Sequence, residues 1–116
     1  MRPESQKLLH DVQTASDLIV QFTDGVSFGN YANNNLLRSA VERQFKIVGE
    51  AINQLSHIDS ELAARITSFR RIIDFRNFLI HGCSHIDNEV VWDIVTEELS
   101  VLTSDVRKLL QENGDA

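Results

Sequence analysis

The sequence is poor in the residues that interrupt or cross-link a chain. It contains one proline and five glycines, and this scarcity favours long helices over a fold with many turns. Its single cysteine, Cys83, excludes a disulfide within the chain and fits a reducing compartment. No apolar run approaches the roughly 18 residues that a membrane span requires, and the N-terminal residues lack the apolar segment of a secretory signal. We therefore expect a cytoplasmic protein.

The charge is acidic overall but unevenly distributed. The formal net charge is −6, which argues against a protein that coats nucleic acid along its whole surface. The segment from Arg65 to His81, however, contains four arginines and one acid, Asp74, so it carries +3 and the rest of the chain carries −9. One basic patch on an acidic body predicts a single phosphate-binding site rather than a long nucleic-acid groove.

Length and apolar spacing predict one helical domain. A chain of 116 residues with 42% hydrophobic and 24% charged side chains is typical of a single globular domain, here residues 1–116. Apolar residues recur at helical spacing, and no segment alternates as a strand does. We predict helices at residues 3–22, 35–55, 69–81 and 87–110, with a short turn at 60–64. The predicted fold is all-α, an antiparallel up-and-down four-helix bundle with a short extra helical turn.

Several residues predict where these helices begin and end. Residues 26–35 form a polar connection, and we expect Phe28 and Tyr31 to tuck beneath it. Ser60 is a candidate cap for the short turn, and Asp87 is a candidate N-cap for the last helix. Gly82 is placed to stop the third helix.

Polar side chains suited to phosphate chemistry are concentrated in residues 70–85, RRIIDFRNFLIHGCSH. Asn77 and His81 lie four residues apart and share a helix face, and the Arg76 side chain is long enough to reach the same point. Ile72, Phe75 and Leu79 form the opposite row and should face the core, which would leave the three polar side chains exposed. Arg76 has a planar donor fork suited to two phosphate oxygens, and a histidine can move a proton near neutral pH. Together they predict RNA cleavage without a metal or cofactor. His81 would take the proton from a ribose 2′-hydroxyl, and Arg76 would stabilise the transition state.

The same residues also have structural explanations. A histidine at a helix C-terminus often only caps the helix, and an arginine near acids often only forms a surface ion pair. From spacing alone, these outcomes are commoner than catalysis. A third interpretation is metal binding by His81, Cys83 and His85. It is disfavoured because structural zinc sites normally have four ligands, and the sequence provides no second cluster.

Three blocks of the sequence, in order, resemble the HepT-like toxins of the HEPN superfamily. Residues 76–83, RNFLIHGC, are similar to the family signature of arginine, four residues, histidine, any residue and tyrosine. IVGEAINQLS at residues 47–56 resembles the family's second-helix segment. HIDNEVVWDIV at residues 85–95 resembles the start of its last helix.

The resemblance implies a helical bundle that dimerises and brings two copies of the motif into one cleft. It implies a metal-independent endoribonuclease acting on RNA, the toxin of a type VII-like toxin–antitoxin system. The antitoxin would be a minimal nucleotidyltransferase encoded beside it, which in the family can transfer AMP onto the motif tyrosine. The catalytic roles would fall to Arg76, His81 and Asn77.

One departure from the family pattern is that Cys83 occupies the tyrosine position. A thiol is not the expected AMP acceptor, and Tyr31 lies far from the motif in sequence, so we do not expect it to take that role. The alternative function is a catalytically inactive module of the same fold, a regulatory subunit of a nucleotidyltransferase. The candidate substrate-binding residues are Arg70, Arg71 and Cys83.

Overall fold

The computed structural model describes residues 1–81 and 87–112, and most of these residues are helical. The helices are α1 (Pro3–Thr23), α2 (Phe28–Ala32), α3 (Asn35–Ile58), α4 (Ser60–Ala64), α5 (Phe69–His81), α6 (Asn88–Asp93) and α7 (Leu99–Glu112), with a π-helical turn at Ile94–Glu98 between α6 and α7. The described ranges contain no strand, which confirms the all-α prediction. None of the helices described is both long and apolar enough to cross a bilayer.

Side-chain caps set the start of several helices. Asn34 Oδ1 accepts a hydrogen bond from the backbone N–H of Leu37 at 3.0 Å and begins α3. At α4 the prediction was wrong by one residue, because the cap is Asp59 rather than Ser60. Asp59 Oδ1 accepts from the N–H of Leu62 at 3.2 Å, and Ser60 is the first helical residue. Both residue types are good N-caps, so spacing alone did not separate them.

The connection predicted over residues 26–35 contains a short helix, α2. The Ser27 side chain caps its first turn. Tyr31 is fully buried at 0% exposure, with its ring centre 5.0 Å from that of Trp92. Phe28, on the same helix, remains partly exposed at the edge of this aromatic cluster.

Packing among the long helices forms the core. Helix α1 packs against α3 and α7, and α3 also packs against α4 and α5. The large side chains with almost no solvent exposure include Leu9, Val12, Ile19, Val41, Phe45, Val48, Ile52, Leu55, Ile66, Ile72 and Leu102. Because α3 contacts both α1 and α5, it is the helix against which the polar side chains of α5 are positioned.

Candidate active site at the end of helix α5

The rotation of α5 about its own axis is set by three buried residues. Ile72, Phe75 and Leu79 face the core, as predicted from their spacing. The Phe75 ring meets Phe45 of α3 edge-on, with 5.1 Å between ring centres. This rotation leaves Asn77 exposed on the other side of the helix.

Arg76 lies in the seam between α5 and α3 rather than free in solvent. A Cβ atom added to Gly49 of α3 would lie 2.3 Å from the Arg76 Cβ and 2.7 Å from its Cγ. Those distances are far inside van der Waals contact, so only a glycine allows α5 to approach α3 this closely. The Arg76 side chain is consequently only 19% exposed, less than the sequence led us to expect.

The Arg76 guanidinium is held by two oxygen acceptors. Glu50 Oε2 accepts from Nε at 3.1 Å and from Nη2 at 2.5 Å. Asn77 Oδ1 accepts from Nη1 at 3.0 Å. The structure therefore brings Arg76 and Asn77 into direct contact. A guanidinium has five N–H donors, so two remain for a further acceptor such as a phosphate.

The Glu50 carboxylate is poised to stay ionised. Its hydrogen bond from Arg76 lowers the Glu50 pKa below the usual range, and a second hydrogen bond, from Gln54, acts in the same direction. Gln54 Nε2 donates to Glu50 Oε1 at 3.3 Å. The ion pair across the seam therefore persists at neutral pH and fixes the direction of the guanidinium.

His81 is the last residue of α5 and is exposed. It lies five residues beyond Arg76, about 7.5 Å along the helix axis. Within residues 1–81 and 87–112 it has no hydrogen-bond or ion-pair partner. No hydrogen bond or ion pair with that part of the chain therefore occupies its imidazole.

Several sequence predictions fall on residues 82–86, which lie outside the described residues. They are the helix stop at Gly82, the substrate-binding role of Cys83, and two of the three candidate metal ligands, Cys83 and His85. Among the residues that are described, no cluster of histidine, cysteine and carboxylates could hold a metal ion.

The two arginines predicted to bind substrate lie at the start of α5. Arg70 is exposed, with its guanidinium carbon 5.9 Å from the centre of the Phe69 ring. Arg71 Nη1 donates to Glu98 Oε1 at 2.5 Å and to Glu97 Oε2 at 3.2 Å. Arg71 thus ties α5 to the π-helical turn, and its role in substrate binding stays a prediction.

Sequence reasoning missed Glu50 and Gly49 as parts of the site. Both lie in the block IVGEAINQLS. A glycine inside a helical segment destabilises the helix and usually has a packing reason. Gly49 could therefore have indicated where another helix approaches α3. The neighbouring carboxylate then becomes the natural partner of an arginine on that helix.

Comparison with known proteins shows the family to which the chain belongs. A family model described as "Ribonuclease HepT-like" matches residues 12–109. A protein of Thermococcus cleftensis named "Probable ribonuclease HepT" is 28% identical over 109 residues, which cover 94% of this chain and 98% of the relative. A protein of Methanocaldococcus jannaschii named "Putative RNase MJ1380" is 28% identical over 98 residues, or 84% and 89% of the two chains. No solved structure gave a significant match.

Proposed function

Because the chain belongs to the HepT-like ribonuclease family of the HEPN superfamily, we propose that it is a single-domain, metal-independent endoribonuclease whose reaction depends on Arg76 and His81. The observation that carries the proposal is the state of Arg76. Its guanidinium is fixed by Glu50, yet it retains two N–H donors, and it lies on the same helix as the exposed His81. A preorganised cation and an exposed imidazole on one helix suit phosphodiester cleavage.

In the proposed reaction, the neutral His81 imidazole takes the proton from a ribose 2′-hydroxyl, and the 2′-oxygen attacks the adjacent phosphorus. The bond from phosphorus to the 5′-oxygen of the next nucleotide breaks. The products are a 2′,3′-cyclic phosphate and a 5′-hydroxyl. Arg76 donates its remaining N–H groups to the non-bridging oxygens, where negative charge grows in the transition state. Asn77 keeps the guanidinium oriented through Nη1.

The departing 5′-oxygen needs a proton donor, and one chain offers a single motif histidine. We therefore include in the proposal a dimer of antiparallel four-helix bundles in which two motifs face one cleft, so that a second His81 supplies that proton. A symmetric dimer about a two-fold axis brings the same surface of each copy together. Light scattering should give a particle mass twice that of one chain, which is 13.2 kDa. A monomer at working concentration would contradict the shared cleft.

The toxin role, in the cytoplasm with a minimal nucleotidyltransferase as antitoxin, belongs to the same proposal and is supported by the family likeness. Tyr31 is fully buried, so it offers no hydroxyl to an AMP-transferring partner. The motif position that is tyrosine in the family is Cys83 here. Expression of this chain should arrest growth, and co-expression of a nucleotidyltransferase encoded beside it should relieve the arrest.

A second candidate function is a catalytically inactive module that binds the nucleotidyltransferase. Two observations favour it: Glu50 already engages two of the Arg76 nitrogens, and Cys83 replaces the motif tyrosine. This module would bind its partner without cleaving RNA.

The two functions are separated by incubating the purified protein with end-labelled RNA in the presence of EDTA. We expect cleavage with 2′,3′-cyclic phosphate ends, and its loss in His81→Ala and Arg76→Ala. His57→Ala is the matched control, because His57 is also an exposed histidine in the last turn of a helix but lies outside the motif. Cleavage that survives both motif substitutions would reject the proposed reaction.

A further inference from the structure

An open groove of about 670 Å³ lies beside the proposed site. It follows one face of α3 from Ser39 to Gln54, between α1 and the end of α5. Fifteen helical steps correspond to about 22 Å, which is long enough for several nucleotides of an extended strand. Glu50, the carboxylate that holds the catalytic arginine, lines this groove, and so does Ile80, which immediately precedes His81. The groove therefore reaches the carboxylate that holds Arg76 and the last turn of α5.

The described groove residues include three cations, and two of them are available to a ligand. The third, Lys7, is already paired, with its Nζ 2.9 Å from Asp11 Oδ2. Arg43 and Lys46, three residues apart on the groove face of α3, are exposed and have no ion-pair partner in the described part of the chain. Apart from the paired acids, Glu42 is the only carboxylate that the described groove residues contribute. This spacing places two positive charges side by side on one helix face.

Aliphatic side chains lie next to these cations. Ile47 of α3 is 37% exposed and Ile80 of α5 is 44% exposed, and both line the groove. Leu8 and Ala51 also line it and are largely buried. An apolar surface beside free cations suits a strand whose bases are unstacked and whose phosphates face the cations. Bases inside a duplex remain stacked and offer no such face.

We propose that Arg43 and Lys46 bind phosphates of a single-stranded RNA segment that flanks the cleaved bond, with its bases against Ile47 and Ile80. The identity of the strand as RNA rests on the ribonuclease function proposed above. Binding in the groove itself does not depend on catalysis, so the two proposals can fail separately.

Fluorescence anisotropy with a labelled, fully 2′-O-methylated single strand tests the groove, because this RNA has no 2′-hydroxyl to react. The double variant Arg43→Gln/Lys46→Gln should weaken binding about tenfold at low salt. Two lost phosphate contacts should reduce the slope of log Kd against log salt concentration by about 1.4. The matched control is Arg107→Gln/Lys108→Gln, which makes the same charge change at two exposed residues of α7 outside the groove. We expect the control to bind as the wild type does.

Each outcome decides the proposal. Equal weakening in the control, or none in the groove variant, would overturn it, since binding would then follow overall charge or another surface. Equal affinity for a duplex of the same length would also overturn the single-strand assignment. A change of oligomeric state in the groove variant would identify this face as a contact between copies instead. If the groove variant alone loses affinity while the wild type cleaves no RNA, the groove stands and the ribonuclease function fails.

Discussion

Gly49 lies so close to Arg76 that a Cβ atom at the glycine would sit 2.3 Å from the arginine Cβ. The missing side chain is therefore what lets α5 bring its guanidinium against Glu50. The contact joins backbone packing to the proposed chemistry, because any widening of this seam moves Arg76 away from its acceptor.

Gly49→Ala should destabilise the protein although alanine is the better helix former. Overpacking of this kind costs about 1–3 kcal/mol, and removing a helical glycine returns up to about 1 kcal/mol, so we expect a net loss of about 1–2 kcal/mol. Urea unfolding followed by circular dichroism measures it. Gly29→Ala is the control, because nothing lies within 4 Å of a Cβ at that position. Equal effects at the two glycines would mean that the close approach of α3 and α5 is not what matters.

Glu50→Gln should lower RNA cleavage without unfolding the protein. The amide keeps the shape of the side chain but loses the charge that fixes Arg76, so the transition state meets a less ordered guanidinium. We expect kcat to fall about tenfold, a loss of roughly 1.4 kcal/mol in transition-state stabilisation, with a smaller change in KM. Glu61→Gln, on an exposed residue of α4, should leave both constants unchanged. A Glu50→Gln enzyme of full activity would show that Glu50 has only a structural role.

The Glu50–Arg76 pair should also give the protein an acid-dependent component of stability. Because the Glu50 pKa is lowered in the folded state, its contribution is present above the unfolded carboxyl pKa of about 4.3 and is lost as pH falls through the folded value. The unfolding free energies of wild type and Glu50→Gln should therefore differ by a constant amount between neutral pH and mildly acidic pH. The difference should shrink in more acidic solution. A difference that grows on acidification would contradict this assignment.

Glu98→Ala should cost much more stability than Glu97→Ala. Glu98 is only 18% exposed and accepts hydrogen bonds from Arg71 and from the buried hydroxyl of Ser68. Its removal leaves that hydroxyl without this acceptor, at a cost of about 1–3 kcal/mol. Glu97 is 59% exposed, and an exposed ion pair contributes at most about 1 kcal/mol. Chemical unfolding of the two variants compares them directly, and the reverse order would refute the ranking.

Local spacing was sufficient to predict α5 and its orientation. The helix spans Phe69–His81 as predicted, because Ile72, Phe75 and Leu79 recur at intervals that only a helix aligns on one face. The start of α6 after Asp87 followed from the same kind of evidence, since Asp87 accepts a hydrogen bond from the Glu89 N–H.

The partners of these residues could not be predicted in the same way. Glu50 lies 26 residues before Arg76 on another helix, and nothing in local spacing states which helices touch. The charge pattern indicated residues 65–81, because Glu42 partly offsets Arg43 and Lys46 along the chain. In the fold all three side chains line one groove, and Arg43 and Lys46 have no ion-pair partner among the described residues. Apolar residues at intervals of three or four fit an α-helix with or without a π-helical turn. The apolar pattern therefore did not predict the π-helical turn between α6 and α7.

That π-helical turn fixes the number of residues between α6 and α7. Residues Ile94–Glu98 place Glu97 and Glu98 beside α5, and the helix then continues into α7, which packs on α1. Each residue advances an α-helix by about 100°. A π-helical turn closes i→i+5 hydrogen bonds and so takes one residue more than an α-helical turn. Deleting one residue here should therefore leave a regular α-helix whose later apolar side chains still face α1, whereas inserting one more would rotate them by about 100°. We expect natural sequences of this fold to tolerate a one-residue deletion in this segment better than a one-residue insertion.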